Sequence, residues 1–207
     1  MEAGLILASA LVAFATTTVL MVAFRPLSLA VGLVDAPGGR KLHKGHIPII
    51  GGLAMVAGIF AALTLLPYPA KFMHSIFLAS ALLVVVGVLD DRFHVPATAR
   101  IASQIVAVLL MVFGAGLQLS DIGSPFGTGI ISMGSFTLIF TMLVTLTMIN
   151  AYNLVDGADG LAGSLTLIAL LAVALVSGIH HPSAAAALTV SAAIIGFLIF
   201  NFPTPWN

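Results

Sequence analysis

Apolar runs, free of charge except for Arg100 at the edge of the fourth, recur seven times along this chain, and they leave it few folds to adopt. They cover residues 3–24, 49–66, 72–89, 99–117, 133–152, 161–179 and 184–202. About 17–25 apolar helical residues are needed to cross the hydrocarbon of a bilayer. In lipid the chain must pair its own backbone N–H and C=O groups, so a spanning segment is a helix or a strand of a closed barrel. Barrel strands alternate polar and apolar residues, and these runs do not. The sequence therefore predicts an all-α, polytopic transmembrane bundle of about seven spans, a single integral membrane domain over 1–207. Most connections are short, so neighbouring spans should run antiparallel. Composition agrees. Of 207 residues, 60% are hydrophobic and 7% charged, where a soluble domain carries about 25% charged residues.

The few charges are unevenly shared. With the N-terminus outside and the C-terminus cytoplasmic, the inner connections hold Arg25, Arg40, Lys41, Lys44, Arg92 and Arg100, and the outer ones hold only Lys71. Basic residues favour the cytoplasmic side, which sets this orientation. Asp35, Asp90, Asp91, Asp156 and Asp159 then fall on the same inner face, as an inward-facing active site would require. Zero net charge argues against a nucleic-acid partner. The absence of cysteine excludes disulfides and thiolate metal sites. The first apolar run is too long for a secretory signal peptide, and only Glu2 precedes it.

Three polar islands interrupt the apolar pattern. Residues 150–163 read Asn-Ala-Tyr-Asn-Leu-Val-Asp-Gly-Ala-Asp-Gly-Leu-Ala-Gly. Carboxylates are costly in hydrocarbon, so this cluster belongs at a membrane surface or in a wet cavity. Asp156 and Asp159 are three apart and would share one face of a helical turn. Gly157, Gly160 and Gly163 would open that turn to close approach by a metal ion, a phosphate or a sugar nucleotide. The plainer alternative is helix capping by Asp156 or Asp159. One Asp would suffice for that, leaving the other and two Asn unexplained.

Asp90-Asp91-Arg92-Phe93 follows the third run directly. Two adjacent carboxylates repel by about 4 kcal/mol at close range in a partly screened setting, so a divalent cation, Arg92 or protonation must offset them. A solvated helix end would account for Arg92 near the C-terminal dipole, but not for the Asp pair. The long connection 25–48 is rich in Gly, Pro, Lys, Arg and His. It suits anion binding, or simply anchoring beside anionic headgroups. His74, His180, His181 and Trp206 read as interfacial residues, and Gln104 as a polar contact between helices.

Taken together, His-Lys-Gly-His-Ile-Pro-Ile-Ile-Gly-Gly at 43–52, Asp-Asp-Arg-Phe at 90–93 and Asn-Ala-Tyr-Asn-Leu-Val-Asp-Gly-Ala-Asp-Gly-Leu at 150–161 resemble the polyprenyl-phosphate N-acetylhexosamine-1-phosphate transferases. The likeness covers essentially the whole chain. It favours the undecaprenyl-phosphate N-acetylglucosaminyl branch over the branch that uses UDP-MurNAc-pentapeptide. The resemblance implies that undecaprenyl phosphate attacks a UDP-N-acetylhexosamine in the presence of Mg2+, with Mn2+ as a possible substitute. The products are the lipid-pyrophosphate sugar and UMP, the first step of cell-surface polysaccharide synthesis such as the O-antigen of lipopolysaccharide. It implies catalytic roles for Asp90, Asp91, Asp156 and Asp159, with Asp91 and Asp156 at the metal. Lys44, His43, Asn150, Asn153 and Arg92 would bind substrate. The implied location is the bacterial inner membrane, with the site facing the cytoplasm and a homo-oligomer possible.

Members of that family continue past a segment like Asn201-Phe202-Pro203-Thr204-Pro205-Trp206-Asn207 to a Gly-Asp-Ala-Gly-Ser-type motif and a His-rich loop. The chain is therefore expected to insert in a membrane but to catalyse poorly, and an inactive membrane fragment is the first alternative. An ion-coupled transporter fragment is the second. Transporter carboxylates lie near mid-span, whereas every inner Asp here lies at a span end or in a connection.

Overall fold

The computed structural model describes residues 2–31, 34–35, 47–48, 50–93, 95–178 and 180–202. Its helices are α1 (Ala3–Val31), α2 (Gly51–Leu63), α3 (Ala70–Phe93), α4 (Ala97–Leu109), α5 (Thr137–Val155), α6 (Leu161–Ser177) and α7 (Pro182–Asn201). A π-helical turn, Leu110–Gly114, prolongs α4, and a 3-10 turn, Gly134–Phe136, leads into α5. A two-residue antiparallel pair, β1 (Val34–Asp35) with β2 (Ile47–Pro48), is the one departure from the all-helical expectation among named elements.

Each of the seven apolar runs coincides with one helix, and α1, α3 and α5 continue past the ends of theirs. α1 carries Arg25 and Pro26 within it before ending at Val31. The predicted first connection at 25–48 is thus helical over its first residues. α3 likewise continues through Asp90, Asp91 and Arg92. Five helical segments are long and apolar enough to cross a membrane: Ala3–Ala30, Ala70–Phe93, Ala97–Gly114, Gly134–Val155 and Pro182–Asn201. α2 and α6 are apolar but shorter, at 13 and 17 residues.

The chain forms two compact units. The first comprises Met1–Tyr68, Val88–His94 and Val155–Asn207. In it α1 packs on α2 and α7, and α7 also packs on α6 and α2. Lipid supplies no hydrophobic drive between helices, so close packing of small residues holds them together. Ala13, Ala62 and Ala193 are fully buried against one another. Ser9 and Thr189 share a 2.9 Å hydrogen bond between their hydroxyls. α2 comes so near α1 that a Cβ on Gly58 would collide with the Thr17 hydroxyl and lie 2.9 Å from the Ala13 carbonyl oxygen. The Tyr68 hydroxyl donates to the Pro182 carbonyl at 2.8 Å, tying the chain beyond α2 to the start of α7.

The second unit comprises Pro69–Gly87 and Val95–Leu154. The connection from α4 to α5 folds back as a short antiparallel hairpin. Ile122 N–H donates to the Ile131 carbonyl at 3.1 Å, and Ile131 N–H to the Gly123 carbonyl at 2.9 Å. Asp121 and Ser132 form a bridge at its base.

Candidate functional site

Asp90, Asp91 and Arg92 occupy the last turn of α3 rather than a loop. Asp90 is half-buried, and Asp91 and Arg92 are exposed. Backbone hydrogen bonding continues beyond an apolar stretch wherever nothing breaks it, which is why the helix runs on into charged sequence. The Arg92 guanidinium sits 5.6 Å from the centroid of the Phe93 ring, within cation–π range. Arg92 complements the negative end of the helix dipole, whereas the two carboxylates oppose it.

α5 likewise outlasts its predicted span and ends at Val155, so Asn150 and Asn153 are helical. Asn150 Nδ2 donates to Gln104 Oε1 and to the Leu146 carbonyl, each at 2.8 Å. Gln104 is buried, and this bond is the inter-helix contact its sequence position predicted. Asn153 is exposed.

Asp156, Gly157, Ala158 and Asp159 form a non-helical turn between α5 and α6, so the helical spacing expected for the two carboxylates does not apply. Gly157 N–H donates to the Val155 carbonyl at 2.7 Å, and Leu161 N–H to the Ala158 carbonyl at 3.1 Å. Neither Asp caps α6. The N-cap is Gly160, at φ 74°, with no side-chain cap bond. The 2.8 Å bond from Gly160 N–H to Asn201 Oδ1, at the far end of α7, holds this residue instead. A Cβ on Gly160 would lie 2.5 Å from the Phe202 ring. The left-handed backbone and the adjacent ring both require glycine here.

With capping excluded, both carboxylates remain available to a ligand, and both are exposed. Partial loss of hydration raises the Asp156 carboxyl above the usual carboxylate range, and the negative charge of Asp159 raises it further. A proton or a cation would relieve that strain on the ionised form. The donor chemistry suits a hard divalent ion. It offers oxygen ligands only, and one or two carboxylates leave room for water or phosphate in the shell.

The end of α3 and the Asp156–Asp159 turn belong to the first unit, whereas Asn150 and Asn153 belong to the second. Among the described residues, no three His, Cys, Asp or Glu side chains gather as a metal site. Lys44 and His43 lie outside the described residues. Sequence reasoning gave Asn201 no role. Its one signal was an amide side chain at the end of an apolar run.

Residues 73–205, more than half of the chain, match glycosyl transferase family 4. Curated relatives include the undecaprenyl-phosphate alpha-N-acetylglucosaminyl 1-phosphate transferase of Escherichia coli (strain K12), 35% identical over 192 residues, which cover 91% of this chain and 52% of that protein. The Yersinia pestis protein of the same name is 36% identical over 144 residues, 70% of this chain and 40% of that one. The probable undecaprenyl-phosphate N-acetylglucosaminyl 1-phosphate transferase of Bacillus subtilis (strain 168) is 31% identical over 195 residues, 93% of this chain and 54% of that one. The chain spans about half the length of the curated relatives it matches. The same chain that carries paired carboxylates at two helix ends is thus a multi-pass membrane protein, and it belongs to glycosyl transferase family 4.

Proposed function

We propose that this protein takes part in transferring an N-acetylhexosamine 1-phosphate, GlcNAc 1-phosphate first among the candidates, from a UDP-sugar to undecaprenyl phosphate. An oxygen of the lipid phosphate attacks the β-phosphorus of the UDP-sugar. The bond from that phosphorus to the bridging oxygen breaks, and UMP leaves. The relatives' names supply the lipid acceptor and the transferred group. The observation that best supports the reading is the pair of exposed carboxylates at Asp156 and Asp159, neither engaged in capping α6. Phosphoryl transfer asks a protein mainly to hold reactants and neutralise phosphate charge.

In this reading Asp156 and Asp91 hold Mg2+, with Mn2+ able to replace it, and the ion neutralises pyrophosphate charge when bound. Asp90 accepts a proton from the lipid phosphate or orients it, and Asp159 keeps the neighbouring Asp156 receptive to a cation. Lys44, His43, Arg92, Asn150 and Asn153 contact the nucleotide sugar. The start of α6 adds the positive end of a helix beside the acidic turn. The orientation has the N-terminus outside, seven crossings, and the acidic turn facing the cytoplasm of a bacterial inner membrane. The pathway would be cell-surface polysaccharide synthesis.

The test is equilibrium binding of UDP-GlcNAc to the chain in membranes, with and without Mg2+. Binding should strengthen with Mg2+. Asp156→Asn and Asp91→Asn should each weaken it about tenfold, the size of one lost charged contact, while insertion is unchanged. Metal-independent binding, or no binding at all, would overturn the reading.

A further inference from the structure

Three hydrogen bonds shape the acidic turn between α5 and α6, and one of them is long-range. At its start the Gly157 N–H donates to the Val155 carbonyl at 2.7 Å, which ties Asp156 to the end of α5. At its close the Leu161 N–H donates to the Ala158 carbonyl at 3.1 Å. The N–H of the peptide between Asp159 and Gly160 leaves the turn and donates to Asn201 Oδ1 at 2.8 Å. A peptide unit is planar, so holding that N–H also holds the plane in which the Asp159 Cα lies. The direction of the Asp159 side chain follows from that plane. Gly160 has no Cβ and sits at φ 74°, so without the bond its own sterics would leave the plane free to turn.

The end of α7 is built around the same contact. Leu198, Asn201 and Phe202 stand at helical spacing on one face, and the Phe202 N–H donates to the Leu198 carbonyl at 3.0 Å, which carries the helical bonding past Asn201. A Cβ on Gly163 would lie 2.7 Å from Leu198 Cδ2, and one on Gly160 would lie 2.5 Å from the Phe202 ring. Both glycines therefore rest on that face, three residues apart. These apolar contacts set distance, but they cannot orient a peptide. A hydrogen bond, being directional, can. Gly160 is also buried, and a buried N–H is costly to leave unpaired.

We infer that Asn201 is a positioning residue, which through Gly160 sets where Asp159 points relative to Asp156 and so the cation affinity of the acidic turn. The inference rests on the reading of Asp156 as a cation ligand. Asn201 acts through the backbone of the turn and needs no contact of its own with cation or nucleotide.

The test uses the full chain in lipid nanodiscs, with 15N-labelled glycine. Asn201→Leu removes the acceptor at similar size. It should let the Gly160 amide exchange with solvent about tenfold faster, the factor that one lost hydrogen bond amounts to. It should also cancel most of the strengthening that Mg2+ gives to UDP-GlcNAc binding, while binding without Mg2+ stays within about twofold of the parent. A general loss of packing would weaken both. Asn201→Asp keeps the Oδ1 acceptor and should keep both slow exchange and the Mg2+ effect. Should Asn201→Leu fail to insert, Asn201→Ala, which adds no bulk, carries the same comparison. An unchanged Gly160 exchange rate, or an unchanged Mg2+ effect despite fast exchange, would overturn the inference. A parent chain without Mg2+-dependent binding would overturn the underlying reading and this inference with it, and the exchange rates would then report a structural bond alone.

Discussion

Asp156 holds its proton more tightly than a free aspartate, first because the turn removes part of its hydration and second because Asp159 lies nearby with the same charge. The folded state therefore binds more protons than the unfolded one across that range, and stability should fall as pH rises from the ordinary carboxylate range through the raised folded value. Below that window the contribution is fully present. Asp159→Asn removes only the second cause, so the shift should shrink without vanishing. A carbon NMR titration of the labelled Asp carboxyls, beside melting temperature against pH, would read both effects. An Asp156 titrating at the ordinary value in the parent chain would refute them. The sequence marked this pair by its isolation among apolar runs, but it did not reveal what shapes the turn. Gly160 depends on Asn201, 41 residues away, and local spacing carries no trace of a partner that distant.

Helix ends were the least readable elements, for one physical reason. Charge reports where water begins, whereas a helix ends where its hydrogen-bond ladder does. α1 runs past Arg25 to Val31, and α3 past Asp90 to Phe93. The existence of each helix was plain from hydrophobicity, because lipid leaves the backbone no other partner. Packing was half plain. Small residues recur in the runs, but only the structure distinguishes glycines that touch a neighbour from those that do not. Gly58→Ala should push α2 off α1, at a cost of about 1–3 kcal/mol from overpacking. Gly87→Ala meets nothing within 4 Å, and as a helix-interior change it should be neutral or favourable by up to about 1 kcal/mol. Denaturant-induced loss of helicity, compared between the two variants, separates these outcomes. Equal stability would remove Gly58 from the packing account.

On the scale of the whole molecule, five segments meet the length and apolarity for crossing a bilayer, and seven were expected. α2, with 13 residues, rises only about 20 Å, so a crossing there would need flanking chain or a locally thinned bilayer. The six-to-one distribution of Lys and Arg still predicts sidedness. A cysteine at Lys71 should react with an impermeant maleimide added outside intact cells, and one at Thr98 should react only after permeabilisation. The reverse pattern would invert the proposed topology and move the acidic turn to the opposite face. The bond from Gly160 to Asn201 has a further consequence, in the order of synthesis. A nascent chain has made its acidic turn some forty residues before the amide that fixes Gly160 leaves the ribosome. Until α7 is made and docked, the two carboxylates sit on an unfinished turn, so the final shape of this site is set only after that helix has been added.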